Sequence, residues 1–135
     1  MDASELSSIP LFDGLSDKEL GGIAPLFDVV DVEPGKELAL KDRLGHEFFI
    51  LLEGECQVQY GDRAPRKLDA GEFFGEISLL ESERRTVTVV AATPVKLAVT
   101  TGANLRTIAI RNDAIDRRLR SAIEEHRARD AAASS

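Results

Sequence analysis

The spacing of apolar residues changes twice along the chain and divides it into three parts. In the first part, apolar side chains recur at helical spacing over residues 20–26, and Ser16 stands three residues before Glu19, the pattern of a capping box at a helix start. These features predict a short helix over residues 17–24, inside an N-terminal helical region of about residues 16–26.

Short apolar runs broken by turn residues fill the second part, residues 28–100. Runs such as EFFILLEGECQVQY and TVTVVAA are rich in strand-forming residues, and turn residues separate the runs, for example at Pro34-Gly35 and at Gly71. At least six strands at this even spacing predict an all-β sandwich or barrel.

The third part has a helical period and predicts one long terminal helix over residues 102–129. A stripe of residues spaced alternately by three and four runs along it: Leu105, Ile108, Asn112, Ile115, Leu119, Ala122 and His126. Such a stripe is typical of a helix that pairs with a second helix, but a helix that packs on the barrel shows it too. Ile110 and Ile123 lie off the stripe and are alternative contacts to the barrel.

The composition fits a single domain over residues 1–135, with 43% hydrophobic and 30% charged residues. A net charge of −7 repels the phosphate backbone, so no nucleic acid partner is expected. No apolar run approaches the roughly 20 residues that a bilayer span needs, so no membrane partner and a cytoplasmic location are expected. Cys56, the single cysteine, is expected to be a buried apolar side chain.

The stretch GEISLLESERRTVTVV, residues 75–90, carries the candidate chemistry. Its first glycine permits close backbone approach, Glu76 offers an acceptor to a sugar hydroxyl, and Arg85 presents a planar fork of donors to phosphate oxygens. These groups describe a pocket for a phosphorylated ribose. The alternative is that Glu76 and Arg85 form an ordinary salt bridge with each other. The candidate ligand-binding residues are Gly75, Glu76, Ile77, Ser78, Arg85 and Thr86.

The run FGEISLLESERRTVTVVA, residues 74–91, resembles the phosphate-binding cassette of cyclic nucleotide-binding domains, which reads approximately F-G-E-(L/I)-(A/S/C)-L-(L/I) and then R-(S/T/A)-A-T-V. The segments VEPGKEL, LGHEFFILLEGECQV and LDAGEFFGE extend the resemblance over nearly the whole chain. The resemblance implies an eight-stranded β jelly roll flanked by helices. It also implies a sensor module that binds cAMP or cGMP, performs no catalysis and needs no cofactor or metal.

The resemblance also implies a role for each candidate residue. Glu76 would accept from the ribose 2′-hydroxyl, and Arg85 would pair with the equatorial phosphate oxygen. Backbone contacts would come from Gly75, Ile77 and Ser78, and Thr86 would lie beside the phosphate and the base. In the family a threonine following the ligating arginine can bond guanine, yet relatives with Ser or Thr there also respond to cAMP, so both nucleotides are expected to bind, with cAMP modestly ahead.

Four other positions are interpreted beside the cassette. Arg84 is expected to be solvated. Val87 replaces a smaller alanine of the family pattern, the Lys41-Asp42-Arg43 segment lacks the usual glycine, and His46 occupies a position often taken by Asp. None of these departures removes a ligand-contacting group.

The terminal helix is predicted to form a homodimer, as it does in family members that regulate transcription, with Asn112 fixing the register and His126 a residue of the rim. No output domain is visible, so the chain is expected to be either a free-standing sensor with an unidentified effector protein or a fragment of a larger architecture. Two alternatives stand beside the sensor. One is a scaffold that has lost nucleotide binding, and the other is a metal enzyme of the cupin type, for which His46 and His126 alone are too few ligands.

Overall fold

The structure is a computed structural model that describes residues 1–60, 63–81, 83–85 and 87–134. Its strands are β1 Asp28–Val32, β2 Glu37–Ala39, β3 Glu47–Glu53, β4 Cys56–Tyr60, β5 Arg63–Leu68, β6 Phe73–Phe74, β7 Thr88–Ala91 and β8 Val95–Thr101. Its α-helices are α1 Ala3–Leu6, α2 Asp17–Ile23, α3 Glu76–Leu80, α4 Gly102–Arg111 and α5 Asp113–Ser134. Within these described ranges, no helix is both long and apolar enough to cross a membrane.

The strands form two four-stranded antiparallel sheets, in the orders β1-β8-β3-β6 and β2-β7-β4-β5. This is a β jelly roll with flanking helices, which confirms the predicted fold class. The strands lie between Asp28 and Thr101, close to the predicted range of 28–100.

Strand β3 shows why the sequence EFFILLE is apolar without interruption. Phe49 and Leu51 belong to the core cluster between the sheets, whereas Phe48 and Ile50 belong to the cluster that packs under the helices. Side chains alternate between the two faces of a strand, so a strand covered on both faces needs an apolar residue at every position. Burial on both faces places β3 at the centre of the molecule, where its first residues border the cassette.

The capping box predicted at the start of α2 is confirmed. The Glu19 amide donates to the Ser16 hydroxyl at 3.1 Å, and the Ser16 amide donates to the Glu19 carboxylate at 3.0 Å. A short 3₁₀ turn, Ala24–Leu26, then extends the helical region to residue 26.

The N-terminal segment before α2 was not predicted to form structure, but it contributes to the core. Helix α1 and a 3₁₀ turn at Pro10–Phe12 bury Leu6, Leu11 and Phe12 against α2 and the terminal helices. The apolar run Ile9-Pro10-Leu11-Phe12 is the signal that marks this contact in the sequence.

The prediction of one continuous terminal helix over 102–129 is wrong, because the backbone leaves helical geometry at Asn112 (φ −140°, ψ 106°). The Asn112 side chain accepts from the Ile115 amide at 3.1 Å and thereby caps α5. Its amide group donates to the Glu19 carboxylate at 2.8 Å. Asn112, predicted to fix the register between two chains, is thus engaged within its own chain.

The apolar stripe is also used within the chain. Leu105, Ile108, Ile115 and Leu119 are at most 3% exposed and pack in the core beneath the N-terminal segment. Ile123 is buried, as the contact to the body of the protein requires, but Ile110 is 82% exposed, so its predicted contact with the barrel is wrong. These apolar residues of the stripe are therefore buried within a single chain, and no second chain is needed to cover them.

Asn112→Ala is expected to lower the free energy of unfolding by about 1–2 kcal/mol, because it removes a helix cap and the bond to Glu19. Ile110→Ala, at an exposed site on α4, should change it by less than about 0.5 kcal/mol. Urea denaturation followed by circular dichroism measures both. Equal losses for the two variants would contradict the capping role.

Candidate functional site

Gly75 shapes the beginning of the cassette. It is the N-cap of α3 and has φ of 102°, in the left-handed region that favours glycine. A Cβ at this position would lie 2.7 Å from Nη1 of Arg85 and 2.9 Å from the Glu47 carbonyl oxygen. Both the backbone conformation and the close packing therefore require glycine here.

Arg85 is only 8% exposed, and its guanidinium is held by main-chain carbonyl groups. Nη1 donates to the Gly75 oxygen at 3.2 Å and Nη2 donates to the Glu47 oxygen at 2.7 Å. Burial lowers the pKa of Arg85 from its ordinary value, while the carboxylates of Glu47 and Glu76 act in the opposite direction. The site thus holds a buried cation with neutral oxygens as its hydrogen-bond partners.

Glu76 is 1% exposed at the first turn of α3. The alternative in which it pairs with Arg85 is not realised, since the ion pair of Glu76 among the described residues is with Nδ1 of His126. Its other oxygen, Oε2, is buried and has no hydrogen-bond partner in the described part of the chain. A buried acceptor in this condition is costly unless a donor reaches it.

Ile77 and Ser78 are buried and continue α3 behind Glu76. The Ser78 hydroxyl donates to the Glu83 carbonyl at 2.6 Å and accepts from the Gly45 amide at 3.3 Å, so it closes the cassette loop. The Ser78 hydroxyl is thus engaged within the protein, whereas the amides of Ile77 and Ser78 lie in the first turn of a helix and have no acceptor within the helix.

The remaining residues singled out in the sequence, in and beside the cassette, have different environments. Thr86 lies outside the described residues. Arg84 is exposed, as predicted, and donates to the Asp42 carbonyl at 3.1 Å. Asp42 has φ of 68°, so an aspartate takes the left-handed conformation within the Lys41-Asp42-Arg43 segment, which lacks the usual glycine. Val87 is half-buried and lines the cavity described next.

Glu76 and Arg85 lie on the wall of one cavity of about 50 Å³ between the barrel and α5. The sequence interpretation missed several of its lining residues: Tyr60, Arg66, Phe73, Arg129 and Asp130. His126 also lines the cavity, which corrects its interpretation as a residue of the rim only. The spacing of 126, 129 and 130 places these three residues on one helix face, and that spacing is the signal by which the sequence marks them.

Arg66 from β5 adds a second cationic group to the cavity wall. Its side chain lies 3.5 Å from Glu72, but its buried Nε has no hydrogen-bond partner among the residues that the structure describes. Two residues that line the cavity, Arg66 and Glu76, thus each have a buried polar atom with no partner in the described part of the chain.

Two features of the protein concern alternative chemistry. Cys56 is fully buried, as predicted, and burial, followed by the nearby Glu55, raises its pKa to about 11. A thiol with such a pKa is a poor nucleophile at neutral pH. Within the described ranges, no group of three His, Cys, Asp or Glu side chains is placed to hold a metal ion.

The comparisons with known proteins agree on one family. The sequence profile of the family "Cyclic nucleotide-binding domain" matches residues 29–112. A cAMP-dependent protein kinase regulatory subunit of Mycosarcoma maydis is 33% identical over 118 residues, 84% of this chain. A cyclic nucleotide-gated potassium channel of Rhizobium etli is 35% identical over 92 residues, 68% of this chain. The chain spans only 22% and 26% of the lengths of these two relatives.

A solved structure agrees with the sequence comparison. The regulatory domain of Toxoplasma gondii PKA, crystallised with cAMP, superposes with a TM-score of 0.78 at 26% identity. The match covers 90% of this chain and 48% of that one.

Proposed function

The chain belongs to the cyclic nucleotide-binding domain family, and on that premise we propose that it is a sensor module that binds a cyclic nucleoside monophosphate and performs no catalysis. The observation that carries the proposal is that a buried cation and a buried carboxylate, which do not pair with each other, line the same cavity. Arg85 and Glu76 are 8% and 1% exposed. Burying two such groups is costly, and a ligand with a phosphate and a sugar hydroxyl would complete both.

Each group of the site has a part of the ligand that fits it. Arg85 would bond the cyclic phosphate, which is a charged and better acceptor than the carbonyls of Gly75 and Glu47 that its guanidinium now meets. Oε2 of Glu76, which has no hydrogen-bond partner among the described residues, would accept from the ribose 2′-hydroxyl. Main-chain amides of Ile77 and Ser78 would add donors to the phosphate, since their position in the first turn of α3 leaves them without helical acceptors.

The output of the sensor is proposed to be a change in surface that an effector protein reads. This part follows from the relatives, in which the module accounts for 22% and 26% of much longer chains. A homodimer through the terminal helix stays a prediction, but the stripe that motivated it no longer argues for it, since Ile115 and Leu119 are buried within one chain. The exposed Ile110 is the apolar residue of α4 that a second chain would cover.

The second candidate function is a scaffold that has kept the fold and lost the ligand. The small size of the cavity, about 50 Å³ against the roughly 300–1,000 Å³ of ligand pockets, favours it. The retained pair of Arg85 and Glu76 argues against it, because a scaffold has no need to bury an unpaired carboxylate oxygen. The two candidates differ in one measurable property, which is nucleotide affinity.

Parallel calorimetric titrations with cAMP and cGMP test the proposal. Both nucleotides are expected to bind, with cAMP ahead by less than about tenfold, since one hydrogen bond contributes about 0.5–1.5 kcal/mol. Thr86→Ala is expected to lower the affinity for cGMP more than for cAMP, because the threonine hydroxyl can bond a guanine. Equal effects on the two ligands would place selectivity elsewhere, and no binding of either would favour the scaffold.

A further inference from the structure

His126 occupies the position from which a ligand would reach Glu76. Its Nδ1 contacts Oε1 of Glu76, and the pair is largely buried, with side-chain exposures of 21% for the histidine and 1% for the glutamate. The two residues are 50 positions apart in sequence and lie on different helices, α5 and α3. The carboxylate proposed to recognise the ribose is thus already paired with a group of the protein itself.

The contact between His126 and Glu76 holds α5 against the cavity. Beside the pair, Phe73 of β6 lies edge-on to the imidazole, with ring centroids 6.0 Å apart. One residue further along α5, Arg127 donates to the Glu83 carboxylate at 2.8 Å, so the helix is joined to the cassette at two neighbouring points. The cavity left beneath is about 50 Å³, well below the roughly 300 Å³ of the smallest usual ligand pockets. A nucleotide can bind only after this part of α5 moves away.

We propose that His126 is an internal competitor of the nucleotide: in the ligand-free chain it pairs with Glu76 and holds α5 closed, and ligand binding breaks the pair and displaces the end of the helix. The identity of the ligand rests on the proposed function, whereas the closed pair exists without any ligand. Arg127 and Glu83 are both exposed, so their bridge adds little to the closure, and the buried pair dominates it.

Protonation of His126 controls the strength of the pair. Burial acts to lower the pKa of this imidazole, but the hydrogen bond and the charge of Glu76 outweigh it, and the pKa is raised from 6.5. The nearby cations act against that rise. The charged groups that share the cavity with the imidazole are Glu76 of α3, Arg66 of β5, Arg85 of the cassette, and Arg129 and Asp130 of α5.

The direction of the pH effect follows from the raised pKa. Below about pH 6.5 the imidazole is charged in both the open and the closed state, and the charged pair stabilises closure fully. This stabilisation is lost as the pH rises through the raised pKa of His126. The neutral imidazole still donates a hydrogen bond, but a weaker one. Nucleotide affinity should therefore increase with pH above 6.5, and binding in that range should release a proton.

The first experiment uses the free chain and needs no nucleotide. The chain has two histidines, so an NMR pH titration follows two imidazole signals, one from His126 and one from the exposed His46. Glu76→Gln is expected to shift the titration midpoint of His126 downward and leave that of His46 in place. An unchanged His126 midpoint in this variant would overturn the proposed pair.

The second experiment measures cAMP affinity from pH 6 to 8.5 in the unaltered chain and three variants. His126→Ala should bind about three- to tenfold more tightly than the unaltered chain at pH 6, because apparent affinity is reduced by the fraction of closed chain, and the difference should shrink as the pH rises. His126→Gln should lose the pH dependence, and His46→Ala should behave like the unaltered chain.

The outcomes separate the two proposals. Weaker binding by His126→Ala at every pH would show that His126 is a ligand contact and would overturn the competitor. If no variant binds cAMP or cGMP, the proposed function and the competition with nucleotide both fall, while the NMR titration still decides whether the pair with Glu76 exists.

Discussion

Arg85→Ala is expected to weaken cyclic nucleotide binding by about 150- to 5,000-fold, which corresponds to about 3–5 kcal/mol. Arg85 is 8% exposed and sits beside the Gly75 carbonyl, so a phosphate bound here would be largely removed from water. Removing the guanidinium leaves that negative charge without its partner, and no other described arginine of the cassette points its donors to the same carbonyls. Titration calorimetry measures the loss.

Arg84→Ala is the matched control, because it removes the same chemical group one position earlier. Arg84 is exposed and donates to the Asp42 carbonyl, so its loss should change nucleotide affinity by less than about threefold. Circular dichroism of both variants checks that the barrel is intact. A larger effect at Arg84 than at Arg85 would mean that the register of the cassette is misassigned.

The features that the sequence predicted correctly are local ones. A left-handed glycine at the start of α3, a carboxylate directly after it and an arginine nine residues later lie within a single short stretch, so the residue types alone describe most of the geometry. Strands are predictable for the same reason, because a strand-forming run and the turn residues that bound it are visible over about five to ten residues. The strand-forming run that contains β3 and the capping box at Ser16 are further cases.

The features that the sequence did not reveal depend on distant partners. Asn112 keeps the three-and-four spacing of an unbroken helix, and the partner that holds its side chain, Glu19, is 93 residues away. His126 meets Glu76 across 50 residues, and its spacing with residues 129 and 130 predicts a shared helix face but not the partner of that face. Helical spacing predicts that residues share a face, but it does not say what that face covers, which is why the apolar stripe predicted a partner chain.

At about pH 8.5, where the pair of Glu76 with His126 is weakest in the tested range, Glu76→Gln should weaken binding of a nucleotide with a 2′-hydroxyl by about 10- to 100-fold and should hardly alter the already weak binding of its 2′-deoxy analogue. A hydrogen bond to a charged acceptor contributes about 1.5–3 kcal/mol, and the buried Oε2 of Glu76 is the acceptor without a partner among the described residues. Glutamine keeps the size of the side chain and replaces this charge with a neutral amide. Competition binding with the two ligands measures both affinities.

The comparison between ligands also removes the effect of His126. Glu76→Gln weakens the pair with His126, and that loss favours both nucleotides equally, because both must displace α5 to bind. The ratio of the two affinities therefore reports the 2′-hydroxyl alone. Glu81→Gln, an exposed carboxylate at the end of α3, is the control and should leave the ratio unchanged. Equal losses for the ribose and deoxyribose ligands would show that Glu76 does not recognise the hydroxyl and that its buried carboxylate serves the contact with His126 instead.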